Sequence, residues 1–114
     1  MAEAINGVQD IFGSTAVGAG SWWRIPQKIG NLTFQVIQSG TVGSTLSSAV
    51  DFEGSNDGVN PLATKLGSVS LSSAAHPASD GIAIDANWAF VRAKLNSLTT
   101  GSSVIVKANG QIRS

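Results

Sequence analysis

Cysteine is absent from this chain of 114 residues, which removes disulfides, thiolate nucleophiles and thiolate metal sites in one step and suits synthesis in a reducing cytoplasm. Charge is scarce too. Seven basic and seven acidic side chains make up 12% of the residues, so there is no basic field to hold nucleic acid and no acidic tail to solvate the chain. Electrostatic DNA binding is not expected. Long apolar runs are missing as well: none approaches the roughly 18 residues that cross a membrane as a helix. The start Met1-Ala2-Glu3-Ala4 has no basic region ahead of an apolar one, and the expectation is a soluble chain without an export signal.

Catalytic groups are as thin on the ground. The one histidine, His76, lies in Ser73-Ala74-Ala75-His76-Pro77 with no second histidine to work with, and it reads as a solvated loop side chain ahead of a general base. Gly18-Ala19-Gly20 and Gly40-Thr41-Val42-Gly43 lack the lysine and following helix of a phosphate loop. Asn31-Leu32-Thr33 is formally a glycosylation sequon, without weight in the absence of a secretory signal. The expectation is that the chain is not an enzyme and holds no cofactor.

What fills the sequence is glycine, serine, threonine, valine and alanine, which favour strands and tight turns. Ile5, Val8 and Phe12 are spaced for one short turn of helix, against which Gly7 weighs. Strand signals then recur at short intervals. Asn31 to Gln38 alternates Leu32, Phe34 and Val36 against Thr33 and Gln35, and Thr45 to Glu53 alternates Leu46, Ser48, Val50 and Phe52. Leu62 to Leu71 runs through Gly67, where a glycine suggests a bulge or bend. Gly81 to Ala86, Trp88 to Leu95 and Ser103 to Lys107 complete the set. Asn109-Gly110 is a strong two-residue hairpin signal, with Gln111-Ile112-Arg113 folding back after it.

Six or seven strands, turn signals about every ten residues and no alternation with helices predict an all-β chain, a single antiparallel β-sandwich or jelly roll over residues 21–114. At 11.6 kDa one core is feasible, since folding at this size buries roughly two-thirds of the unfolded surface. Residues 1–20, rich in glycine and alanine and weakly patterned, are expected to form an extended N-terminal arm reaching another subunit.

Four groups of residues carry candidate roles. In Ser55-Asn56-Asp57-Gly58, a carboxylate and a glycine fix a tight turn after a strand, so Asp57 and Gly58 are structural. Asp51, Glu53 and Asp57, with Asp80 and Asp85 near loops, offer oxygen ligands for calcium; the stronger reading gives Asp57 to the turn and leaves Asp51 and Glu53 to pair with bases or solvent, so no metal is expected. In Ser21-Trp22-Trp23-Arg24-Ile25-Pro26, adjacent tryptophans on an extended backbone point to opposite faces, so one ring enters the core and the other does not. Beside Arg24, the outer ring is an anchor for a neighbouring subunit, a stacking platform for a sugar, or a cover for the end of the sandwich; the first is preferred. Finally, Trp88, Phe90, Arg92 and Lys94 share one face of a strand, with Ala89, Val91, Ala93 and Leu95 on the other. Arg92 reads as a structural arginine packing on rings and meeting Glu53 or Asp51.

Taken in order, Trp22-x-x-Ile25-Pro26, Phe34-Gln35-Val36-Ile37-x-x-Gly40-Thr41, Glu53-Gly54-Ser55-Asn56-Asp57-Gly58, Leu66-Gly67, Ser79-Asp80-Gly81, Trp88-x-Phe90-Val91-Arg92-Ala93 and Gly101-x-x-Val104-x-Val106 resemble small virion structural proteins of tailed bacteriophages. The resemblance spans about residues 20 to 108. It implies an antiparallel sandwich attached to the capsid or placed in the neck, tail or fibres. A more distant resemblance, in the Gly-Ser-Asn-Asp-Gly and Phe-Val-Arg elements, is to discoidin-like sandwiches, and it implies only the topology class. The function expected is a non-enzymatic capsid decoration or cement protein, a symmetric homo-oligomer on other virion proteins such as the major capsid protein, assembled in the bacterial host cytoplasm. The alternatives are a neck, tail or fibre subunit, and a carbohydrate-binding module using Trp22 or Trp23. Neither nucleic acid nor membrane is an expected partner.

Overall fold

Period-two alternation governs the elements, because a strand between a core and solvent buries every second side chain. In the structure, a computed structural model that describes residues 8–25, 29–40, 45–75, 77–85 and 88–112, the chain forms β1 (Val8–Ser14), β2 (Gly18–Ala19), β3 (Trp23–Arg24), β4 (Ile29–Ser39), β5 (Leu46–Ser55), β6 (Gly67–Ser73), β7 (Ala78–Asp85), β8 (Phe90–Leu98) and β9 (Ser103–Ile112). No helix occurs among the described residues.

The strands divide into two antiparallel sheets of order β1-β9-β4-β7 and β2-β8-β5-β6, with β3 also paired to β8. With β2 and β3 counted as one interrupted edge strand, the chain crosses between the sheets in the sequence of a jelly roll. The expected fold class is the observed one.

The alternation read in β4 and β5 sets the core. Leu32, Phe34 and Val36 from one sheet meet Val50 and Phe52 from the other, with Ile25, Val69, Val91, Ala93, Leu95, Val104, Val106 and Ala108 completing the buried cluster. Phe34 and Phe52 stack between the sheets, ring centroids 4.4 Å apart and planes at 15°. Offset stacking of this kind adds about 1 kcal/mol to the burial of the two rings.

Four local expectations are corrected. Residues 8–12 are strand, not helix, and the described part of the expected arm belongs to the sandwich: β1 pairs with β9 from Val8↔Asn109 to Ser14↔Val104, β2 pairs with β8, and Ile11 and Phe12 pack on the core. A strand of weak pattern is stabilised there by a ladder and two apolar side chains. Asn109-Gly110 makes no turn. Asn109 lies opposite Val8 on one side and Thr33 on the other, so backbone pairing on both edges overrides the local turn preference. Gly67 does not bulge a strand but begins β6, where a Cβ would stand 2.6 Å from Ile82 Cδ1. The expectations placed on Ile5, Gly7, His76 and Arg113 lie outside the described residues.

Candidate functional site

The outer face of the second sheet, at the end where β5 finishes and β8 begins, gathers most of the residues singled out by sequence. Register does the gathering. β5 and β8 align Glu53 with Arg92 and Ser55 with Phe90, while β3 lays Trp23 beside Val91 and Arg24 beside Phe90.

Arg92 is the centre. Its Nε donates to Glu53 Oε1 at 2.7 Å, and its guanidinium carbon stands 4.4 Å from the centroid of the Trp22 ring. The two charged side chains keep only 20% and 15% of their surface exposed. A planar guanidinium can satisfy both neighbours together, offering N–H groups in its plane and its face to a ring. The partner is Glu53, while Asp51 instead accepts from Lys65 at 3.3 Å. The ring on which Arg92 packs is Trp22, which lies just before β3.

Next to it, the Arg24 guanidinium stands 5.5 Å from the Phe90 centroid, and Gly58 approaches the same ring so closely that a Cβ there would lie 3.3 Å from it. Gly58 has φ of 71°, a left-handed conformation that favours glycine. Trp23, on the parity of Val91, packs against the core, whereas Trp22 covers Arg92 on the outside. The two rings divide between faces as strand geometry requires.

Trp88 departs from its expected place. The strand starts at Phe90, and Trp88 lies instead against Gly54, where a Cβ would be 3.2 Å from Trp88 Cγ and 3.1 Å from Leu66 Cδ1. Gly54 is thus a glycine because two large side chains close over it.

The turn at the end of β5 is tied internally. The Asp57 carboxylate accepts from the backbone N–H of Asn60 at 2.8 Å and of Val59 at 2.9 Å, from Ser55 Oγ at 2.7 Å and from Asn60 Nδ2 at 2.8 Å. These donors favour the ionised form and hold its pKa far below the usual carboxylate range. The turn does not close a tight hairpin, because the chain runs on through residues 56–66 before β6. Asn56 was missed by sequence reasoning: its Oδ1 accepts from Ala89 N–H at 3.0 Å and clamps this loop to the start of β8. Only the tertiary approach of residues 56 and 89 reveals that role.

Chemically the cluster braces the sheet. Glu53 is occupied by Arg92, Asp51 by Lys65 and Asp57 by its turn, and no three metal-ligating side chains converge among the described residues. No known family profile and no curated protein matches this chain. Among solved structures, it is similar to the crystal structure of the SPBc2 prophage-derived protein YomS, with 16% identity, 92% of each chain covered and a TM-score of 0.62. That likeness shows a shared fold.

Proposed function

We propose that this chain is a non-enzymatic structural protein of a bacteriophage virion, most directly a capsid decoration or cement subunit, with a neck, tail or fibre position as the alternative. The observation that carries the reading is the fold likeness to a prophage-derived protein over 92% of each chain, joined to the phage-virion resemblance of the sequence. The surface chemistry is in keeping. The candidate cluster spends its charged groups on internal bracing, and sparse charge suits a subunit that packs against neighbours.

The carbohydrate reading has less support. A sugar platform needs an open ring face, yet Trp23 packs on the core and one face of Trp22 carries the Arg92 guanidinium. Quantitative mass spectrometry of gradient-purified particles from a phage encoding this chain tests the proposal. Many copies per particle, in fixed ratio to the major capsid protein, are expected; particles free of the chain would overturn it.

A further inference from the structure

A sheet edge presents unpaired N–H and C=O groups that join another chain unless something prevents it, and natural proteins blunt such edges with bulges, short strands, proline or inward charges. The two sheets have four edges. β1 is broken by a register shift between Asp10 and Phe12. β2 and β3 are two residues each. In β7, Asp80 lies opposite Val36, on the strand parity that faces the core, and Gly81 follows it. Three edges are therefore blunted, by three different devices.

β6 has none of them. Its sequence Gly-Ser-Val-Ser-Leu-Ser-Ser contains no charge and no proline, and its pairing with β5 runs unbroken from Phe52↔Gly67 to Leu46↔Ser73. Ser68, Ser70 and Ser72 are exposed. The cation nearest in sequence, Lys65, is turned onto Asp51 at 3.3 Å. Leaving one edge unprotected where the others are blocked points to an edge that is used.

The sequence of β6 also names its occupant. Ser68-Val69-Ser70-Leu71-Ser72 reads almost the same in both directions about Ser70. In an antiparallel pairing with a second copy on a two-fold axis through Ser70, Ser70 opposes Ser70, Ser68 opposes Ser72 and Val69 opposes Leu71. Each side chain then stays on its own face: hydroxyls continue the outer face, and Val69 with Leu71 extends the apolar inner one. A one-residue slip would set hydroxyls against the apolar side chains, so the pattern specifies register as well as partner. An isologous contact of this kind closes on itself as a dimer.

We infer that β6 is a self-association edge through which two copies of this chain pair antiparallel about Ser70, fusing their β2-β8-β5-β6 sheets into one. The pairing does not depend on the virion reading and is tested on the purified full chain alone. Sedimentation equilibrium from about 1 μM to about 1 mM covers the span in which a weak contact registers. Wild type is expected to rise from 11.6 kDa toward twice that mass. Ser70→Lys sets two ammonium groups against each other on the axis and should raise the dissociation constant at least tenfold.

Two double variants test the register independently of Ser70. Ser68→Lys with Ser72→Lys places like charges opposite across the dimer and should weaken it similarly, whereas Ser68→Lys with Ser72→Glu places opposite charges there and should keep it. All three side chains are exposed in the single copy, and thermal melts check that each variant folds. Should Ser70→Lys fail to fold, the double variants decide. A wild type of 11.6 kDa throughout, or like-charged and charge-matched variants associating equally, would overturn the inference.

Discussion

Arg92 is held by a carboxylate in its plane and a ring on its face, and a side chain bound in this way is hard to replace. Arg92→Ala leaves Glu53, only 15% exposed in the intact protein, without its cation, so a loss of about 2 to 4 kcal/mol of folding stability is expected in urea denaturation. Arg92→Lys restores the charge but not the planar stack on Trp22, and should recover less than half of that loss. An Arg92→Ala protein as stable as wild type would show that the pair contributes nothing. Asp57 yields a pH prediction instead. Its folded pKa is depressed, so its contribution is present above the unfolded value of about 3.9 and is lost as pH falls toward the folded one. Wild type should therefore lose stability on acidification below about pH 4, and Asp57→Asn should lose less over the same range. Parallel melting curves of the two proteins from about pH 5 to about pH 2 check this; identical pH dependences would deny the turn its carboxylate.

Elements were legible wherever burial followed a simple period. In β4 and β5 the alternation named Leu32, Phe34, Val36, Leu46, Ser48, Val50 and Phe52, and all of them are buried. In β8 the period separates Val91, Ala93 and Leu95, which are buried, from Phe90, Arg92 and Lys94, but with both faces apolar near the centre it reads as a strand covered on both sides. Legibility failed where a distant partner outweighed a local preference. Asn109-Gly110 carries a turn signal, but Asn109 is paired on both sides and Gly110 with Leu32, and β1 has little pattern of its own but lies along β9. The site shows the same division: a cation–carboxylate pair is foreseeable on one sheet face, but the ring over Arg92 and the Asn56 clamp depend on which loops the fold brings together. β1 supplies a test at this scale. Deleting residues 1–20 removes the ladder on β9 and the packing of Ile11 and Phe12, so the truncated chain should lose cooperative unfolding or melt far below wild type. A truncated sandwich as stable as the full chain would return these residues to the role of an arm.

On the proposed virion reading, a jelly roll with few charges, several of them paired across strands and loops, suits contact with other subunits. Asp10 pairs with Lys107 at 2.7 Å, Asp51 with Lys65 and Glu53 with Arg92, so part of the small charge content is neutralised locally, and the formal net charge is zero. Little long-range repulsion is left to keep copies apart. Repetition of weak contacts around a symmetric particle would then supply the affinity that one small surface lacks. Electron cryo-microscopy of intact particles from a phage that encodes this chain tests that account most directly. The account predicts repeated density at symmetry-related positions that fits a two-sheet domain of 45 × 28 × 17 Å. A complete particle map with no density for such a domain at any position would contradict it.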